Sequence, residues 1–103
     1  MNYKVIFTAE FEEQLDNILD YIERLFSKEY AEEYFNYLIS QLDNLSVFPN
    51  IGIKIRPLIL STKLTNAFVS RKNIIFYRIE EETKQIFLIA LASASENYLN
   101  LMN

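Results

Sequence analysis

The chain has 103 residues, room for one compact domain spanning 1–103 and too few for two ordinary ones. Half of it is apolar and 15% aromatic, so a packed core is expected, and one Gly with two Pro favours long regular elements over a loop-rich fold. The absence of Cys excludes disulfides, thiolate metal sites and thiol nucleophiles, the absence of His removes the commonest general base, and the net charge of −4 runs against a protein that lives on phosphate backbones.

The first predicted element is a short strand over Tyr3 to Phe7. Thr8 stands where an N-cap belongs, with Glu10 in the first turn to complement the helix dipole. Phe11, Leu15, Ile18, Leu19, Ile22 and Leu25 then recur at helical spacing, which predicts an amphipathic helix over about 9–26. Its polar face is acidic. Glu10, Glu12, Glu13, Asp16, Asp20 and Glu23 point away from the apolar stripe, and a solvated face accounts for them better than a metal or acid/base site.

Ser27 is the next N-cap. Ala31, Tyr34, Phe35, Leu38, Ile39, Leu42 and Leu45 form a second apolar stripe, closed by Pro49 and Gly52. Two amphipathic helices with almost no loop between them predict an antiparallel hairpin. Tyr30, Tyr34 and Tyr37 lie at i, i+4 and i+7, a spacing that suits core or partner packing.

Residues 53–63 contain Pro57, so an edge strand or an irregular crossing segment is expected there. From Leu64 the β signal is firmer: "LTNAFV", "NIIFYRI" and "QIFLIAL" are three strands, with a polar turn over Glu80 to Lys84. The order β-α-α-β-β-β is an α+β pattern: an N-terminal strand, a helical hairpin and a mostly antiparallel sheet whose apolar side the helices cover.

Charge is segregated along the chain. Residues 54–78 carry Lys54, Arg56, Lys63, Arg71, Lys72 and Arg78 and no acid. Arg56, Arg71, Lys72 and Arg78 are therefore the candidates for contacting a target. Alternation places Ile75, Tyr77 and Ile79 on one face of a strand and Ile74, Phe76 and Arg78 on the other. From that second face Arg78 can hold a phosphate or pair with Glu80 or Glu82. Tyr98 can act as a general acid/base with cationic help or pack the C-terminal tail. The longest apolar run, Ile86 to Ala92, is far shorter than the ~20 residues a bilayer requires, and no signal-peptide pattern opens the chain, so a cytoplasmic protein is expected.

Taken in order, these segments resemble the RelE/ParE superfamily of bacterial toxins. "TAEFEEQLDNILDYI" is similar to the family's first helix. "YAEEYFNYLISQLDNLSVFPNIG" is similar to its second helix, ending in Leu-x-x-x-Pro-x-x-Gly at Leu45, Pro49 and Gly52. "NAFVSRKNIIFYRIEEETKQIFLIAL" resembles the ParE-type strand pair. The resemblance spans about 95 residues and implies a toxin of a type II toxin–antitoxin module with a cognate antitoxin as partner. In the RelE branch it implies a ribosome-dependent mRNA endoribonuclease that uses Arg, and often Tyr or His, near the end of the sheet. Here the strand position for such an Arg falls near Ile74, and the tail reads Ala92, Ser93, Ala94, Ser95. A nuclease would have to rely on Arg71, Arg78 and Tyr98. The ParE branch, which inhibits DNA gyrase by binding it, fits better and needs no cofactor or metal. An attenuated module that only binds its antitoxin is the remaining alternative. Phe26, Tyr30 and Tyr37 are the candidate antitoxin contacts, beside a groove between the helix pair and the sheet.

Overall fold

The computed structural model describes residues 2–55, 65–70 and 72–93. Strand β1 (Lys4–Phe7) leads into helix α1 (Ala9–Leu25) and helix α2 (Lys28–Val47). A 3₁₀ turn (Pro49–Ile51) follows. Strands β2 (Ile53–Ile55), β3 (Thr65–Val69), β4 (Asn73–Glu80) and β5 (Gln85–Ser93) complete the order. The expected α+β pattern is present, and the described part of the 53–63 segment forms the edge strand that was one of its two expected states, the short β2. The sheet order is β1-β5-β4-β3-β2. All pairs are antiparallel except β1 with β5, which run parallel with Lys4 opposite Gln85 and Phe7 opposite Leu88.

Local chemistry sets the helix ends. The Thr8 hydroxyl accepts from the Phe11 N–H at 3.3 Å and donates to the Leu88 carbonyl at 2.6 Å, so one side chain starts α1 and ties it to β5. Ser27 accepts from the Tyr30 N–H at 3.0 Å and starts α2. Only Phe26 and Ser27 separate the helices, a connection short enough to force the antiparallel hairpin.

The hairpin packs on one face of the sheet. Phe11, Leu15, Ile22, Tyr34, Leu38, Leu42 and Leu45 from the helices meet Ile75, Tyr77, Ile86, Leu88 and Leu91 from β4 and β5. On β5 the inward residues are 86, 88 and then 91. Strict alternation would put residue 90 inside and Leu91 outside. A β-bulge corrects the phase: Phe76 faces Ala90 and Tyr77 faces Leu88, leaving Ile89 as the extra residue. Beyond the end of β1, the Leu91 N–H donates to Gln14 Oε1 of α1 at 2.7 Å. The opposite sheet face carries a smaller buried cluster of Ala67, Ile74 and Ala92 with Phe76 against it.

The Leu45, Pro49, Gly52 spacing has a structural cause. Leu45 is fully buried, and Pro49 opens the 3₁₀ turn. The Tyr77 hydroxyl, inside the core, donates to the Pro49 carbonyl at 2.7 Å and accepts from the Gly52 N–H at 3.1 Å. A Cβ on Gly52 would stand 2.6 Å from that hydroxyl and 2.7 Å from the Ala67 carbonyl oxygen. Glycine is needed here for close approach, not for an unusual backbone angle, since its φ is −81°. Burial raises the Tyr77 phenol pKa above its usual value, opposed by the Asn66 side chain and the Gly52 N–H beside its oxygen. Among the described residues no helix is long and apolar enough to cross a membrane.

Candidate functional site

A groove of 710 Å³ opens where the C-terminal half of α1 and the N-terminal half of α2 meet the ends of β4 and β5. Helical periodicity builds its wall. Tyr21 and Ile18 project from α1, Tyr30 and Tyr34 from α2, and Phe26 from the junction between the two helices. Phe26 and Tyr30 stack with ring centroids 5.2 Å apart, at 66% and 45% exposure. Tyr21 is 54% exposed. Large rings held at such exposure present apolar area that folding alone does not consume.

Lys72 and Ser93 form the far side. Lys72 sits at the tip of the β3–β4 hairpin, whose loop is closed by the Ser70 N–H donating to the Asn73 carbonyl at 2.9 Å. The Ser70 hydroxyl also accepts from the Lys72 and Asn73 N–H groups. The Lys72 ammonium lies 4.9 Å from the centroid of the Tyr37 ring, and the Asn73 side-chain amide donates to the Tyr34 hydroxyl at 3.4 Å. The hairpin loop is thus held against α2. Asp20 and Arg24 pair across one turn at 3.2 Å on the α1 rim, an exposed pair worth little stability. The groove offers flat aromatic surface for side chains and, in Lys72, a cation for a carboxylate or carbonyl.

The structure brings Phe26, Tyr30 and Lys72 to this one groove, with Tyr37 beside it under Lys72. The three spaced tyrosines divide: Tyr34 joins the core, Tyr37 is half-buried and Tyr30 is exposed. Arg78 is elsewhere. Five residues of β4, Asn73 to Tyr77, separate it from Lys72, roughly 20 Å of extended chain. Its guanidinium Nε meets Glu80 Oε1 at 3.0 Å and its Cζ lies 5.3 Å from the Phe87 ring centroid. Arg78 thus has Glu80, one of the two acids offered for it by the sequence, as its partner. Arg56, Arg71 and Tyr98 lie outside the described residues. The acidic residues of α1 are exposed, as the periodicity predicts. Sequence reasoning missed Tyr21, Gln14 and the Tyr77 anchor. Tyr21 was discoverable, since it lies three residues beyond Ile18, at the edge of the apolar stripe.

The profile of the family described as ParE toxin of type II toxin–antitoxin system, parDE, matches residues 5–98. Among solved structures, the fold is similar to a chain of the RelBE2 toxin–antitoxin complex from Mycobacterium tuberculosis. That match has a TM-score of 0.63 and 16% identity, and covers 90% of this chain and 99% of the other. It is also similar to a chain of the chromosomal ParDE toxin–antitoxin system from P. aeruginosa. There the TM-score is 0.68 at 16% identity, over 88% of this chain and 95% of the other. At these identities the two likenesses are likenesses of fold. No curated protein matches the sequence.

Proposed function

We propose, since the chain belongs to the ParE toxin family of type II toxin–antitoxin systems, that it arrests growth by binding DNA gyrase and is neutralised by a cognate antitoxin laid into the aromatic groove. The observation that carries the antitoxin half is the exposed Phe26–Tyr30 stack facing Lys72. Aromatic side chains held in a preformed concave surface are the usual anchors of a protein interface. The neighbouring folds come from toxin–antitoxin complexes, which supports the same partner class.

Inhibition by binding is favoured over RNA cleavage by the state of Arg78. An RNA-cleaving site has to aim positive charge at the phosphate as its charge develops. Arg78 is instead held by Glu80 and laid over Phe87, far along the strand from Lys72.

The test is expression of this chain alone in a bacterial host under tight control. Viable counts are expected to fall and to recover when the antitoxin encoded beside it is co-expressed. Purified protein is expected to inhibit gyrase supercoiling and to leave ribosome-bound transcripts intact. Supercoiling unaffected at large molar excess refutes the gyrase target. Cleaved transcripts refute inhibition by binding alone.

A further inference from the structure

A second groove, of 470 Å³, runs between α1 and α2. Its floor is apolar: half-buried Leu19, buried Ala31 and Phe35 at 38% exposure. Its rim carries Glu23, Glu32 and Lys28. Around it stands the acid run of residues 10–33, every carboxylate of it on an exposed residue, with Arg24 and Lys28 as the only bases of that span. Arg24 is already paired with Asp20. The hairpin therefore presents an apolar channel within a strongly negative field.

From this charge pattern we infer that the α1–α2 groove takes a cationic amphipathic helix, supplied by a segment of the antitoxin. Such a helix seats aliphatic side chains at i, i+3, i+4 and i+7 on Leu19, Ala31 and Phe35 and sets Lys or Arg against Glu23 and Glu32. The inference rests on the toxin–antitoxin reading for the source of the helix, and on this chain alone for its chemistry. A partner segment with an acidic rim would face like charge along the whole hairpin.

Two synthetic peptides of equal length test it, one with a leucine stripe flanked by Lys and one with the same stripe flanked by Glu. Fluorescence anisotropy against the full chain is expected to show binding of the Lys peptide, weakening as salt is raised, and none of the Glu peptide. The E23K/E32K variant is expected to bind the Lys peptide about tenfold or more weakly. Inversion of equally exposed carboxylates in the β4–β5 turn, E81K/E82K, is expected to leave binding within about twofold, because those charges lie off the groove. F35S, at a partly exposed position, is expected to weaken binding with the fold retained. Equal binding of the two peptides, or equal loss from the remote inversion, overturns the inference. An antitoxin that neutralises E23K/E32K as well as the unaltered chain overturns it too, and leaves the toxin reading standing. Growth unaffected by this chain, with Lys-peptide binding lost only in the groove variants, overturns the toxin reading and keeps the chemistry of the groove.

Discussion

Tyr77→Phe removes one oxygen atom from the core, and its expected cost follows from what that oxygen holds. The side chain is fully buried, donates to the Pro49 carbonyl at 2.7 Å and accepts from the Gly52 N–H at 3.1 Å. The ring of Phe fills the same space, so no cavity term enters. Two backbone groups lose their partner, and an unsatisfied buried group costs ~1–3 kcal/mol. Gly52 is only partly buried, so water recovers some of its bond. The sum is ~2–3 kcal/mol. With a urea m-value of ~1–3 kcal/mol/M, the midpoint should fall by roughly 0.7–3 M at unchanged m. Circular dichroism during urea unfolding measures this. The same anchor makes a pH prediction. Burial favours the neutral phenol, so the folded pKa lies above the unfolded value near 10. The stability linked to that difference is complete below pH 10 and is lost as pH rises from there through the folded pKa. The wild-type chain should therefore lose stability above pH 10 more steeply than Tyr77→Phe, and the difference between the two isolates this tyrosine. A Tyr77→Phe unfolding free energy within ~0.5 kcal/mol of wild type would refute the assignment of Tyr77 as the clamp on the Pro49–Gly52 turn.

Gly52→Ala should destabilise by ~1–3 kcal/mol, because its Cβ would meet the Tyr77 hydroxyl and the Ala67 backbone oxygen, which must move apart. Combined with Tyr77→Phe, its effect should be less than additive, since both act on one contact. Gln14→Leu should cost ~1–2 kcal/mol in the same urea assay by orphaning the Leu91 N–H beside the bulge. The double change Phe26→Ser and Tyr30→Ser should leave stability within ~0.5 kcal/mol, both side chains being exposed. The same change should weaken antitoxin binding by ~2 kcal/mol or more in titration calorimetry, as loss of a central aromatic anchor does.

What the sequence determined by itself is local. Apolar positions at a period of 3.6 and hydroxyl caps at Thr8 and Ser27 need no distant partner, so the first helix was legible to within a residue at each end and the second from its Ser27 cap, with its close bracketed between Leu45 and Pro49. Alternation along β4 put Ile75 and Tyr77 on the face opposite Arg78, because the side-chain period of a strand is a property of its own backbone, and packing against the helices turned the first pair inward. The Leu45, Pro49, Gly52 spacing was visible, but its cause was not. Tertiary structure decided the rest. The parallel pairing of β1 with β5 joins Lys4 to Gln85, and no local pattern encodes a contact across so much chain. The bulge at Ile89 exists because Leu91 must face the helices, a demand made by the core rather than by the strand. Gln14 reads as a surface helix residue until the end of β1 leaves the Leu91 N–H pointing at it. The basic residues of the second half look like one patch along the chain. Lys72 and Arg78, however, lie at opposite ends of an extended strand, where sheet geometry holds them apart, and Glu80 and Phe87 occupy the arginine. Charge along a sequence adds without regard to direction, whereas its field on a partner depends on where the fold sets each group.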